Sequence, residues 1–105
     1  MMMASNGLIN IISHTDLDGV VAAALAWYAN SPSGAVKISL TGYGEVDNLI
    51  LEGLRRRDSV IALDLSPQFQ NTVDEIDRFF GDREPFLFDH HQSTHEKIGG
   101  RPWAV

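Results

Sequence analysis

The stretch Phe86-Leu87-Phe88-Asp89-His90-His91 decides how the rest of the chain is interpreted. Its three apolar residues are typical of a short buried strand, and an acid and two imidazoles follow them without a spacer. In a parallel α/β sheet, functional side chains collect just beyond the carboxyl ends of the strands. The stretch therefore predicts a parallel strand that ends at a functional site.

Two earlier apolar runs lead into acidic residues in the same way. The run 9–12 precedes Ser13-His14-Thr15-Asp16-Leu17-Asp18-Gly19, and the run 60–63 ends at Asp64. Because parallel strands bring their carboxyl ends to one edge of the sheet, these residues are expected to lie together. Carboxylates and imidazoles gathered at one edge are typical of a metal site.

Strand and helix patterns alternate along the chain. The patterns predict strands at 8–13, 36–41, 60–63 and 86–88, and helices at 18–29, 45–57 and 67–80, with no clear element in 92–105. This order predicts right-handed βαβ units. The expected fold is α/β and three-layered, with a mostly parallel sheet of about four or five strands and helices on both faces.

Several residues have predicted places in the second and third helices. Ser66 is expected to cap the third helix, with Pro67 in its first position and Gly81 at its end. The residues expected to face the core are Val46, Leu49, Ile50 and Leu54 from the second helix, and Phe69, Val73, Ile76, Phe79 and Phe80 from the third.

Composition limits the functional classes. The chain has 105 residues, enough for a single domain, and no apolar run approaches the roughly 20 residues of a membrane-spanning helix. It has no cysteine and no basic n-region of a signal peptide, which favours a cytoplasmic location. Any metal must then bind oxygen and imidazole ligands. The net charge of −6 argues against a nucleic-acid-binding protein, unless acids such as Asp16, Asp18, Asp64, Asp89 and Asp58 surround bound cations.

Taken one at a time, the candidate ligands differ in how strongly the sequence indicates a metal-binding role. Asp16 and Asp18 are two residues apart and share one side of an extended segment, although Asp18 could instead cap the helix while Asp16 starts the turn. Asp64 alone could be structural. His90 and His91 are adjacent and point in different directions, so that one can reach a metal and the other a substrate.

Taken together, these carboxylates and imidazoles suit Mn²⁺ or Mg²⁺, and also Co²⁺ or Zn²⁺. Two such ions can clamp the attacking and leaving oxygens of a phosphoryl transfer. His95 lies in a polar segment and is interpreted as a structural histidine.

These motifs resemble the first three motifs of the DHH phosphoesterase family. The resemblance rests on His14-Thr15-Asp16-Leu17-Asp18-Gly19, on Asp64 at a strand end and on Asp89-His90-His91, and it spans about residues 8 to 95. The family includes RecJ-type exonucleases, oligoribonucleases, cyclic-dinucleotide phosphodiesterases and the related family II inorganic pyrophosphatases. The resemblance implies a manganese-dependent hydrolase that acts on short oligonucleotides or small nucleotide phosphodiesters.

The resemblance also implies a role for each residue. Asp16 and Asp18 would each bind one of two manganese ions, and Asp64 would bridge the ions. His90 would be a ligand of the second ion, and His14 is a further candidate ligand. His91 would contact the substrate phosphate, and Asp89 would orient the paired imidazoles.

The chain departs from the family beyond the third motif. A fourth motif with another metal-binding aspartate is missing, since no aspartate follows Asp89, and so is the C-terminal substrate-binding domain with its glycine-rich motif. We therefore expect residues 1–105 to form one incomplete N-terminal DHH domain with little or no activity alone. Apolar surface is expected to be exposed at Trp103, at Val105 and at the sheet edge, which predicts a homodimer.

Three other interpretations stay open at this point. The chain could be a non-catalytic remnant that binds a metal or phosphate or serves as an interaction domain. It could be similar to an inorganic pyrophosphatase, although the short spacing between His14 and Asp16 counts against this. A receiver-like or nucleotide-binding α/β domain would also place acids around Mg²⁺, but it does not explain two adjacent histidines.

Overall fold

The computed structural model describes residues 8–80, 85–89 and 91–105. Within these ranges, strands and helices alternate as the sequence predicts. The elements are β1 (Leu8–His14), α1 (Leu17–Asn30), a 3-10 turn (Ser31–Ser33), β2 (Ala35–Thr41), α2 (Val46–Arg55), β3 (Ser59–Leu63), α3 (Gln70–Phe80), β4 (Leu87–Phe88) and α4 (Gln92–Ile98).

The described strands form one parallel sheet in the order β2-β1-β3-β4. β1 lies inside the sheet, where Ile11 pairs with Ile38 of β2 on one side and with Ile61 of β3 on the other. Beyond β4, the Trp103 carbonyl accepts hydrogen bonds from the N–H groups of Phe86 and Leu87. The predicted α/β fold with a parallel sheet is confirmed.

The two faces of the sheet are covered by different helices. Side chains alternate along a strand, so Ile11 of β1 points to the side of α1, and Ile12 points to the side of α2. On the second side, the core combines residues from β3, α2, α3, α4 and the C-terminal segment. These include Ala62, Val46, Ile50, Leu54, Val73, Ile76, Phe80, Ile98 and Trp103. Helices therefore lie on both faces, and Val46, Leu49, Ile50 and Leu54 face the core as predicted.

The third helix begins later than the sequence predicts. Its first residue is Gln70, so Ser66 and Pro67 lie in the preceding loop and the prediction of a Ser66 cap is wrong. The reason is a competing acceptor on α2. The Asp47 carboxylate accepts hydrogen bonds from the N–H groups of Gln68 (2.8 Å) and Phe69 (3.0 Å), which holds this loop in place just before the helix starts. Gly81, the predicted helix end, lies outside the described residues.

Two aromatic residues predicted for the core are instead exposed. Phe69 is 60% exposed because it precedes the helix, and Phe79 is 43% exposed. Phe79 is adjacent to Phe80, and neighbouring helix residues point about 100° apart. Since Phe80 completes the buried stripe with Val73 and Ile76, Phe79 is directed outward.

The C-terminal segment also corrects the sequence prediction. α4 forms at Gln92–Ile98, where no element was expected, and Trp103 is fully buried, not exposed. The Trp103 indole stacks on Phe86 with ring centroids 5.8 Å apart, and its Nε1–H donates to Asp77 Oδ1 at 2.8 Å. Trp103 therefore fills the core beside β4, while Val105 is exposed as predicted.

Among the described helices, none combines the length and the apolar character that crossing a membrane requires.

We predict that Trp103→Ala lowers the free energy of unfolding by about 3–5 kcal/mol, because it opens a cavity and leaves Asp77 without its indole donor. Urea denaturation followed by circular dichroism measures this change. Val105→Ala is the control and should change the free energy by less than about 0.5 kcal/mol, since Val105 is exposed. Equal effects of the two substitutions would contradict the placement of Trp103.

Candidate metal centre

The carboxyl ends of β1, β3 and β4 bring predicted site residues together at one edge of the sheet. His14 is the last residue of β1, Asp64 directly follows β3, and Asp89 directly follows β4. Their ligand atoms form two groups, each with all atoms within 4.8 Å of one another. The first group is His14, Asp16 and Asp64, and the second is Asp64, Asp89 and His91. Asp64 belongs to both groups, so it lies between them.

Asp16 has two functions at the start of α1. As the N-cap residue, it accepts a hydrogen bond from the Gly19 N–H to Oδ1 at 2.8 Å, and its Oδ2 lies 3.0 Å from His14 Nδ1. The sequence left open whether Asp18 caps the helix while Asp16 only starts the turn, and the structure shows that Asp16 is the cap residue. In the structure Asp16 caps the helix with one oxygen and faces the site with the other.

Gly19 allows α1 to rest directly on the end of β1. A Cβ atom at this position would lie only 2.1 Å from the His14 carbonyl oxygen, a distance that no side chain can occupy. The Ser13 hydroxyl donates to the Gly19 carbonyl at 2.7 Å and fixes the same contact. This close approach sets the positions of His14 and Asp16 relative to each other.

Asp64 shows the clearest signs of a ligand. It has a φ of 62°, an uncommon value for a residue other than glycine, and its N–H donates to the Phe88 carbonyl at 3.0 Å. The residue is only 9% exposed, and its Oδ2 is buried without a hydrogen-bond partner among the described residues. An unpartnered buried carboxylate oxygen is costly, and a cation would satisfy it.

Asp16 and Asp64 lie close enough to influence each other's ionisation. Burial, and then the neighbouring Asp16, raises the pKa of Asp64, whereas the hydrogen bond from the Gly19 N–H lowers the pKa of Asp16. Two carboxylates this close disfavour simultaneous ionisation unless a positive charge lies between them. Both the geometry and the charge of the pair therefore suit a divalent cation with oxygen and nitrogen ligands.

Asp89 is held in place by hydrogen bonds to both of its oxygens. Its Oδ1 lies 2.5 Å from His91 Nδ1 and accepts a hydrogen bond from the His91 N–H, and its Oδ2 accepts one from the Thr94 hydroxyl at 2.6 Å. The Ser66 hydroxyl lies 3.1 Å from the Thr94 oxygen and completes the chain of contacts. The hydrogen bond from Asp89 raises the pKa of His91. Asp89 therefore contacts the His91 imidazole while Thr94 holds its second oxygen.

Three residues of this edge were not predicted. Thr94 lies on α4, and Ser66 was assigned to a helix cap, so neither gave a sequence signal for the site. Tyr43 follows β2, and its ring centroid lies 5.1 Å from that of His14. Burial, followed by the charges of nearby carboxylates, raises the pKa of Tyr43. Its sequence signal was an aromatic residue between two glycines at a fourth strand end.

The remaining candidates lie elsewhere. Asp18 is exposed in the first turn of α1 and belongs to neither ligand group, and His90 lies outside the described residues. Asp58 precedes β3 at the opposite edge of the sheet, where it accepts a hydrogen bond from Asn10 Nδ2 at 3.2 Å, so its suggested role at the cation site is wrong. His95 is exposed on α4.

Comparison with protein-family models, curated proteins and solved structures gave no match for this chain.

We predict that Asp64→Asn raises the free energy of unfolding of the metal-free chain by about 1 kcal/mol at neutral pH. The substitution removes a carboxylate that burial and Asp16 disfavour, and asparagine tolerates the left-handed backbone. Folding raises the pKa of Asp64, so the ionised carboxylate destabilises the fold fully at pH values above the folded pKa. This destabilisation vanishes as the pH falls towards the ordinary pKa of 3.8.

Urea denaturation across a pH series measures this difference. Asp74→Asn on α3 is the matched control and should have an effect below about 0.5 kcal/mol. A neutral-pH loss of stability in Asp64→Asn would show that this carboxylate is not strained in the metal-free chain.

For His91, we predict a pKa above the ordinary 6.5 in the metal-free chain and a fall towards that value in Asp89→Asn. Because folding raises this pKa, the pair stabilises the fold fully below pH 6.5, and the contribution is lost as the pH rises through the folded pKa. The destabilisation by Asp89→Asn should therefore be larger at about pH 5.5 than at about pH 9.

Proton NMR of the imidazole ring follows this titration directly, and Asp74→Asn is again the control. If His91 titrated identically with and without the Asp89 carboxylate, the hydrogen bond between them would have no role in orienting the ring.

Proposed function

We propose that this chain is a metal-dependent phosphoesterase domain of the DHH type, which hydrolyses phosphodiester bonds of short oligonucleotides or small nucleotides. The observation that carries the proposal is the position of Asp64. Its carboxylate lies close to His14 and Asp16 on one side and to Asp89 and His91 on the other, and one of its oxygens is buried without a partner among the described residues. A bridging carboxylate between two cations is the role that the resemblance assigns to this residue.

The donor set supports Mn²⁺, with Mg²⁺ or Co²⁺ as substitutes. His14, Asp16 and Asp64 would hold one ion, and Asp64 with His90 would hold the other, with Asp18 as a further ligand by resemblance. When bound, the two ions would supply the positive charge that activates water and neutralises the phosphate oxygens. The absence of cysteine ligands suits the reducing cytoplasm, where we place the protein.

His91 is suited to contact the substrate phosphate. Its Nδ1 is engaged by Asp89, and Nε2 on the other side of the ring would contact a phosphate oxygen. The raised pKa of His91 favours the protonated imidazole, which donates a charge-assisted hydrogen bond. Thr94 holds Asp89 from behind, so the ring direction is fixed before a substrate arrives.

Tyr43 favours a nucleotide over inorganic pyrophosphate as the substrate. Its partly exposed ring packs beside His14 at the mouth of the site. Aromatic rings at such positions stack on nucleobases, with a contribution of about 1–3 kcal/mol per base. Inorganic pyrophosphate has no group that could use this surface.

We predict that calorimetry detects about two Mn²⁺ ions per chain and that Asp64→Asn abolishes the binding of at least one of them. We expect only weak hydrolysis of a dinucleotide phosphodiester by this chain, and that hydrolysis should depend on Mn²⁺ and fall by about 100-fold in the same variant. Asp74→Asn should leave both measurements unchanged, since it removes a carboxylate from the surface of α3.

The possible outcomes separate the alternatives. Mn²⁺ binding that depends on Asp64 without any hydrolysis would favour a non-catalytic metal-binding domain. Faster cleavage of pyrophosphate than of the dinucleotide would favour a pyrophosphatase. Binding that is absent, or unchanged in Asp64→Asn, would remove the basis of the proposal.

A further inference from the structure

The two faces of the sheet differ in how completely they are covered. In the described part of the chain, the cluster on the side of α2, α3 and α4 contains fifteen buried hydrophobic residues. The cluster on the side of α1 contains three, Ile9, Ile11 and Ala23. One face of the sheet is therefore covered by a large hydrophobic core, and the other face is covered only by a small cluster.

α1 is apolar on its outer surface as well as its inner one. Asp18 is the only charged residue in its fourteen positions, and Gly19 and Ala23 are its buried residues. Leu17, Val21, Leu25 and Tyr28 recur at helical spacing on the outward side. A helix that is hydrophobic all round is normally buried on all sides.

The strands on both sides of α1 are also incompletely covered on this face. In the strand register, Ile38 pairs with Ile11, and Phe88 pairs with Leu63, so these side chains point to the side of α1. Leu40 pairs with Ser13, whose hydroxyl contacts α1, and therefore shares that side. No described helix covers β4 here.

Together these residues form one surface, which we call the α1 face. Of the thirteen exposed large hydrophobic residues in the described ranges, nine belong to it, with exposures between 41% and 77%. They are Leu17, Val20, Val21, Leu25, Trp27, Tyr28, Ile38, Leu40 and Phe88. The concentration of these residues on one face is what distinguishes it from ordinary scattered surface hydrophobics.

We propose that the α1 face binds a second copy of this chain in a two-fold symmetric dimer. The face contains both halves of a helix-on-sheet contact, since the outward side of α1 is accompanied by an exposed strip of strand residues, Ile38 and Leu40 of β2 and Phe88 of β4. A two-fold rotation can place α1 of each copy against that strip of the other. Such an isologous contact uses the same surface twice and closes at two chains.

The exposed area matches what one interface needs. At roughly half exposure, nine such side chains present on the order of 600 Å² of apolar surface per chain. A standard protein interface buries about 800 Å² per partner, of which about 60% is apolar. The α1 face can therefore supply the whole apolar part of a stable dimer contact.

The charge distribution permits the same contact. The chain has a net charge of −6, which opposes self-association at long range. Asp18 is the only charged residue of α1, and it lies in the first turn at one end of the helix. The repulsion between copies is thus kept away from the middle of the proposed interface. The proposal does not depend on the chemistry at the metal centre.

The oligomeric state tests the proposal. We predict that light scattering of the full chain gives twice the 11.6 kDa of one copy, and that Leu25→Glu weakens the dimer by about 100-fold or more. Phe69→Glu is the matched control, because Phe69 is similarly exposed but lies outside the α1 face, and it should leave the mass unchanged. Circular dichroism checks that both variants keep their helices.

Thiol labelling locates the contact. The chain has no cysteine, so Leu25→Cys introduces its only thiol, and Phe69→Cys does the same on the other side. The thiol at position 25 should react slowly in concentrated protein and quickly on dilution, whereas the thiol at position 69 should react at one rate throughout.

Four results would overturn the proposal. They are a monomer up to about 500 μM, a dimer that Leu25→Glu leaves intact, an open-ended series of oligomers, and a thiol at position 25 that stays protected in a monomer. The last result would show that another segment of the same chain covers the α1 face.

Discussion

The parallel pairing of β1 with β2 and β3 is the constraint on which the rest of the structure depends. Once Ile11 pairs with Ile38 and with Ile61, the carboxyl ends of these strands must meet at one edge. The contact of Gly19 with the end of β1 then sets where α1 begins. The positions of the acidic residues thus follow from backbone pairing. The free energy of forming the sheet offsets the electrostatic repulsion between the acids that it brings together.

The electrostatic repulsion is visible in the different environments of Asp16 and Asp64. Asp16 is stabilised as an anion by the Gly19 N–H, whereas Asp64 is buried beside it in an uncommon backbone conformation. Asp89 is different, because His91 and Thr94 already satisfy both of its oxygens. The edge therefore contains one carboxylate, Asp64, with a buried oxygen that lacks a partner among the described residues, and one carboxylate, Asp89, with a partner for each oxygen. Under the proposed function, this difference separates the bridging ligand from the orienting residue.

Much of the fold could be predicted because its signals are local. Apolar runs and helical spacing gave the order of strands and helices, and the strand ends identified His14, Asp64 and Asp89 as neighbours. Apart from Phe79, which was misplaced by the spacing of neighbouring helix residues, the main errors came from distant contacts. Asp47 delays the start of α3, and Asp77 and Phe86 bury Trp103, and no short stretch of sequence contains both partners of either interaction. Thr94 was missed because helix α4, which brings it to Asp89 and to Ser66, was not predicted.

The two tryptophans occupy opposite environments, and this gives the molecule a built-in pair of optical reporters. Trp103 is sealed in the core beside Phe86, whereas Trp27 lies partly exposed on α1. Indole emission shifts to longer wavelength as its surroundings become more polar, so the two residues contribute at different wavelengths. Loss of the core alters the short-wavelength component, and covering of α1 alters the long-wavelength one. Intrinsic fluorescence can thus distinguish unfolding from a change at the surface of α1 without any added label.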